Sequence, residues 1–421
     1  MKNFLAEVEV AMSSGRWWDN RWWANPVYRE EFKLEAREVE DAFGALKKVF
    51  DEAWSNAQVN NVISEARTAV ESGQITDPSA KWYWEETAKA KTRHDEFQAS
   101  AFLVGQHHPF FGHLFGAMGR WPFLSLFRLG RGLKLVEQAG LMGNSASRLR
   151  GAGEFSGASQ EVSALARWIE AGVNVERDVP SGRRERNCDW KVSDGKDAIY
   201  GDVKCIEVSG ANTKRSILAS WISQQVLDEL TAKGLKGRFH LELKVRPGTP
   251  EEVNRLRQGA AEISVKIVRH ILEGMEEGIG EWKEVEGLAR YCFVPVKGSD
   301  SLQGSMGGIP VNAAMEAKKI MKIVREAESQ FPVSGPGVLM IAGSAATVFS
   351  DETAQQMIGR FRRKAKEFLS ISGVLVVKSM LSPKHGEVNS AVFVVNPNGP
   401  PLNMELLGKG FLELEVWKAE A

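Results

Sequence analysis

Cysteine is scarce: the 421 residues hold three, Cys188, Cys205 and Cys292. Three thiols cannot build a disulfide framework, and they cannot supply the four thiolates of an all-cysteine zinc site. That scarcity fits a reducing compartment, so a cytoplasmic location is expected. Net charge is also lacking, because 54 Lys and Arg balance 54 Asp and Glu. A balanced chain is unlike a histone-type binder that coats nucleic acid by bulk charge, but it leaves room for a local basic groove. Long apolar runs are missing as well. Glu7 and Glu9 interrupt the N-terminal stretch, which therefore does not read as a secretory signal. The longest uncharged stretch, 97–119, carries three histidines, two glutamines and Pro109. Those groups would be costly in lipid, so stable membrane insertion is not expected.

What is present divides by pattern. Residues 1–150 read as a mainly helical, Trp-rich domain. Phe32, Val39, Phe43, Leu46, Phe50 and Trp54 recur at helical spacing, with Gly73 as a stop and Asp77-Pro78 as a restart. Trp17, Trp18, Trp22, Trp23, Trp54, Trp82 and Trp84 concentrate there, as core or as an interface for a protein partner or a second copy. The stretch Arg120–Arg150 is basic, with Arg120, Arg128, Arg131, Lys134, Arg148 and Arg150 against Glu137. A Gly/Ser-rich stretch then marks a boundary near Gly151. Residues 151–400 alternate helix and strand, as an α/β domain with a mixed central sheet flanked by helices and a core at 159–245. Residues 401–421 are set apart as a tail.

The segment 187–208, NCDWKVSDGKDAIYGDVKCIEV, carries the chemistry. Asp194-Gly195 is a strong two-residue hairpin signal. With that loop Ser193 faces Lys196, and Asp189, Lys191, Tyr200, Asp202 and Lys204 share one face. Cys188, Trp190, Val192, Ile199, Val203 and Cys205 share the other. Asp189 then lies diagonal to Asp202, where both carboxylates converge. Two such charges about 4 Å apart repel by roughly 4 kcal/mol at an effective dielectric near 20. A divalent cation relieves that repulsion, and oxygen-only ligands suit Mg²⁺, with Mn²⁺ able to substitute. Lys204 on the same face would hold the attacking water or stabilise charge on a phosphate.

Asp189 followed by Asp202-Val203-Lys204 on the next strand resembles the PD-(D/E)xK nuclease superfamily, the restriction-endonuclease-like fold. The chain holds seven D/E-x-K triplets. Of these, Asp202-Val203-Lys204 alone combines an upstream helix acid, a partner Asp, the right turn parity and an apolar strand. The resemblance covers 159–245 and implies a helix, a three-strand meander, a helix and a further strand. It implies that Asp189, Asp202, the Val203 carbonyl and Glu161 hold the metal, that Lys204 assists the water, and that Gln224 or Gln225 is the polar residue of the next helix. Arg183, Arg184 and Arg186, just before Asp189, would contact the phosphate backbone, and Gln225 on the following helix is a further nucleic-acid-binding candidate. The expected activity is Mg²⁺-dependent hydrolysis of nucleic acid, DNA favoured. The alternative is a catalytically inactive module of the same fold that binds nucleic acid or a protein. Elsewhere, His107, His108 and His113 read as buried or surface histidines rather than zinc ligands. Residues 297–308 read as a mobile loop, and the basic run Arg360, Arg362, Arg363, Lys364 and Lys366 as a helix face.

Overall fold

The computed structural model describes residues 33–73, 75, 81–89, 103–105, 107–115, 120–183, 186–207, 222, 225–235, 237–243, 259–273, 283–285, 289–294, 302–307, 312–333, 335–343, 349–364, 366–382 and 386–418. Two compact units emerge, one of residues 1–206, 324–347 and 358–421, the other of residues 207–323 and 348–357.

The first unit begins with helices. Helix α1, Ala36–Val49, is opened by a reciprocal capping box between Glu35 and Glu38. Asp51 caps α2, Glu52–Ser72, by accepting from the Trp54 amide, and Gly73 closes it at φ +66°. The single apolar periodicity of the sequence is thus broken at Phe50, where the capping aspartate starts a second helix. The restart expected at Asp77-Pro78 lies outside the described residues, which resume at α3, Lys81–Lys89. Helices α4, Pro109–Phe115, α5, Arg120–Gln138, α6, Ser145–Arg150, and α7, Phe155–Glu170, follow.

After α7 the chain forms strands β1, Asn174–Pro180, β2, Asn187–Ser193, and β3, Ala198–Cys205. The next strands, β4, Gly237–Leu243, β5, Lys283–Val285, β6, Ala289–Val294, and β7, Leu302–Gly307, form a four-stranded sheet of order β5-β6-β4-β7 among the described residues. That sheet belongs to the second unit. It shares a small apolar cluster with 222–230 and with α8, Ala260–Glu273, including Ile222, Val226, Leu241, Ile267, Ile271 and Tyr291. Where the sequence suggests a mobile loop over 297–308, β7 pairs parallel with β4. Non-local pairing overrides a Gly/Ser composition that carries no strand signal of its own.

The first unit resumes through the end of α9, Ala313–Ala327, into β8, Gly337–Ala342. The end of α10, Asp351–Arg363, leads to β9, Ile371–Ser382, and β10, Gly386–Val395. A short α11, Met404–Gly408, precedes β11, Glu413–Trp417. The seven strands run β1-β2-β3-β8-β9-β10-β11 among the described residues. The β1-β2-β3 meander is antiparallel, β8 lies parallel to β3 and β9 parallel to β8, β10 turns antiparallel and β11 pairs parallel with β10. The class is the expected mixed α/β, and the strand beside β3 is β8. Residues 237–243, expected to complete the 159–245 core, sit in the other sheet. Residues 401–421, set apart in the sequence as a tail, supply the edge strand β11. The helical region and the sheet share one apolar core, from Phe43, Leu46, Phe50 and Phe110 through Val162 and Trp168 to Trp190, Val203, Met340 and Phe393. The boundary expected near Gly151 therefore does not separate two cores.

Candidate active site

The site is built on the β2–β3 hairpin. Its loop has four residues, Asp194 to Asp197, closed by the Ser193–Ala198 pair. A two-residue type I′ turn needs positive φ at both central positions. Gly195 supplies one at +91°, but Asp194 does not. Its carboxylate instead accepts from the Lys196 and Asp197 amides, each at 3.0 Å, and this stabilises the longer loop. The register therefore slips by two residues from the expected one. A slip of two preserves which face each side chain occupies, whereas a slip of one would invert it. The ladder reads Lys191–Tyr200 and Trp190–Gly201, so the next pair in register is Asp189 and Asp202, directly opposite rather than diagonal.

The core face is as expected: Cys188, Trp190, Val192, Ile199 and Val203 are buried. Gly201 lies under the Trp190 indole, where any β-carbon would stand 1.9 Å from the ring. That glycine lets the largest core side chain of β2 lie across β3 at the ladder pair next to the two acids.

On the other face the Asp202 side chain is fully sealed, at 0 % exposure, while Lys204 keeps 34 %. Lys204 Nζ stands 2.7 Å from Asp202 Oδ2. This contact is one of charge, because neither carboxylate oxygen of Asp202 has a well-aligned hydrogen-bond donor. Asp189 Oδ2 accepts from the Val203 amide at 2.6 Å. Burial first, then the charge and hydrogen bond of Asp202, push the Asp189 carboxyl up to about 7. The sealed Asp202 carboxylate and the half-buried Asp189 carboxylate present a hard, oxygen-only donor set. That set fits a divalent cation such as Mg²⁺.

Glu161 sits differently. It is buried on α7, but its carboxylate is taken by two arginines, Arg148 Nη1 at 2.5 Å and Arg177 Nη2 at 3.7 Å. Burial, assisted by the charge of Asp189, holds its pKa above the usual range against those two cations. Glu161 thus belongs to the same electrostatic neighbourhood without joining the acid pair. Among the described residues no group of three or more His, Cys, Asp or Glu is placed to hold a metal. The expected metal-ligand role of Glu161 is not what this arrangement offers.

The structure adds residues that the sequence reading missed. Arg177, on β1, has a side chain only 6 % exposed and donates to the Leu141 and Met142 carbonyls and to Ser145 Oγ. The next residue, Asp178, takes a positive φ of +53° opposite Asp189 in the β1–β2 register. Such a conformation is strained for a residue with a side chain. No local motif marks either residue. The signal that would have pointed to Arg177 is a lone arginine in an alternating strand beside the hairpin.

The flanking basic residues are largely committed to structure. Arg183 donates to Ser370 Oγ at 2.7 Å and to the Glu328 carbonyl, and Arg186 donates to Ser329 Oγ at 2.5 Å. Arg184 lies outside the described residues. Gln225 belongs to the second unit, where it accepts from Ser264 Oγ at 3.0 Å. In the basic 120–150 stretch, Arg131 pairs with Glu170, Lys134 with Asp41 and Arg150 with Asp51. His108 is buried among Phe50, Trp54, Phe111 and Phe155, and desolvation pushes it down to about 4. Burial also lowers His113, and His107 lies 3.8 Å from Glu65. Of the tryptophans, Trp54 stacks on Phe111 and Trp84 packs against the core. Trp17, Trp18, Trp22 and Trp23 lie outside the described residues.

No family model matches the chain, and neither a curated protein nor a solved structure matches it. No helix among the described residues is long and apolar enough to cross a membrane.

Proposed function

We propose that this protein is a metal-dependent phosphodiesterase acting on nucleic acid, built on a PD-(D/E)xK-like hairpin. The observation that carries the reading is the fully sealed Asp202 carboxylate, opposite Asp189 and 2.7 Å from Lys204. An isolated buried carboxylate pair is costly, and a single lysine at the rim offsets only part of that cost. A divalent cation offsets the rest.

Asp189, Asp202 and the Val203 carbonyl would hold Mg²⁺ or Mn²⁺. The ion would supply Lewis acidity toward a phosphate oxygen and a more acidic water. Asp202 holds the Lys204 ammonium in place. Lys204 in turn orients the attacking water and stabilises negative charge as the phosphate becomes five-coordinate. The Val203 amide fixes Asp189 from below. DNA is the favoured substrate and the cytoplasm the favoured compartment.

The test is cleavage of single- and double-stranded DNA and of RNA with Mg²⁺ or Mn²⁺, comparing wild type with Asp202→Asn and Lys204→Ala. Wild type should cleave, each variant should lose at least about a hundredfold, and EDTA should abolish the activity. Equal cleavage by all three proteins would reject the site.

A second reading is a non-catalytic binding module of the same fold, favoured because among the described residues no third acidic group joins the pair. In that case Mg²⁺ and Mn²⁺ would leave the thermal melt unmoved.

A further inference from the structure

Glu161 and Arg148 form a device that the acid pair does not explain. Arg148 lies in the last turn of the short helix α6 and reaches the first turns of α7, where its Nη1 donates to Glu161 at 2.5 Å. Its Nε lies 3.9 Å from Glu154, too far for a hydrogen bond. The side chain is 26 % exposed, and Nη2 makes no hydrogen bond among the described residues. Gly157, without a side chain, leaves that nitrogen 3.8 Å from where a β-carbon would stand. The charge of Asp189 acts on this guanidinium as well as on Glu161, so Arg148 is within electrostatic reach of Asp189.

The second arginine on Glu161 is buried. Arg177 is sealed and spends its hydrogen bonds on Leu141, Met142 and Ser145. Gly143 leaves room for its guanidinium, since a β-carbon there would stand 3.2 Å from it. Arg177 therefore anchors Glu161 from inside, and Glu161 presents Arg148 at the surface. A guanidinium held by one carboxylate, with an open fork edge, is the preferred group for a phosphate, whose paired oxygens match its two parallel N–H bonds.

We propose that Arg148 binds the phosphate of the substrate, that Glu161 is its positioning residue rather than a metal ligand, and that the site holds one divalent cation. The inference rests on the phosphodiesterase reading. The second positive charge that a two-cation site would place on the phosphate comes here from the protein.

Two measurements on the full chain test it. In the first, Mn²⁺ is titrated into metal-free protein and free Mn²⁺ is read by electron paramagnetic resonance. One ion per chain is expected, lost in Asp202→Asn and retained within about threefold in affinity by Glu161→Gln and Arg148→Met. In the second, a short DNA duplex is bound in Ca²⁺ and read by fluorescence anisotropy. Arg148→Met should weaken binding by about ten- to a hundredfold, Arg148→Lys should recover part of the loss, and Glu161→Gln should weaken it less. The double variant should be no weaker than Arg148→Met alone, because Glu161 acts through Arg148. A second Mn²⁺ lost in Glu161→Gln would overturn the proposal, as would unchanged DNA binding in Arg148→Met. If wild type binds no Mn²⁺ but Arg148→Met still weakens DNA binding, the hydrolase reading fails and the phosphate contact stands.

Discussion

Gly201→Ala is the sharpest test of the hairpin. The β-carbon it adds would stand 1.9 Å from Trp190 Cε2 and Cζ2 and 2.3 Å from Cη2. Real contacts of that kind do not fall below about 3 Å, so ring and strand must separate by more than an ångström. The ring cannot simply swing away. Trp190 is fully buried and lies 5.5 Å from the Trp168 ring, which is itself fully buried and packed on Phe411. Overpacking a close-packed core costs about 1–3 kcal/mol, and this overlap, against a rigid aromatic, belongs at or above the upper end. Because Asp189 and Asp202 form the ladder pair next to Trp190–Gly201, the same displacement would spread the two acids. Urea denaturation followed by tryptophan fluorescence measures the first effect, and Mn²⁺ affinity the second. We expect a loss of about 3 kcal/mol or more and weakened metal binding. In Trp190→Leu the same glycine substitution should cost much less. A Gly201→Ala variant within about 0.5 kcal/mol of wild type would refute the packing described for this pair.

Two further outcomes follow from the buried acid pair and the shared core. Asp189 binds its proton more tightly folded than unfolded, since its pKa rises from 3.8 to about 7 through burial and Asp202. Its stabilising contribution is therefore complete below pH 3.8 and is lost as pH climbs toward 7, up to ~4 kcal/mol in all. In EDTA, denaturation at pH 5 and pH 8 should show a component of about 3 kcal/mol that Asp189→Asn lacks; identical slopes in both proteins would remove the coupled pair from the account. Phe50, fully buried and stacked 3.9 Å from Phe110, joins the helices to the core shared with the sheet. Phe50→Ala should cost about 3–5 kcal/mol and lower a single common melting transition of the helices and the hairpin. Separate transitions, with the hairpin unaffected, would show that the two do not share a core.

The sequence by itself determined what period and local chemistry encode. Alternation over 187–193 and 198–205 separated the apolar face from the face of Asp189, Asp202 and Lys204, because strand side chains alternate whatever the exact register. Gly73 marked a helix end through a capping preference that acts within a few residues, whereas the Asp51 cap between α1 and α2 went unread inside one continuous apolar period. The loop length escaped, because the Asp194 side chain competes for the turn amides and moves the pairing by two. Only the tertiary structure decided that β8 rather than residues 237–243 lies beside β3. That choice depends on burial between segments more than 130 residues apart, and no local pattern records it. The partners of Glu161 likewise appear only in the tertiary structure. The sequence shows an acid on a helix, but whether it faces a cation or a guanidinium depends on Arg148 and Arg177, brought in by a short helix and a neighbouring strand.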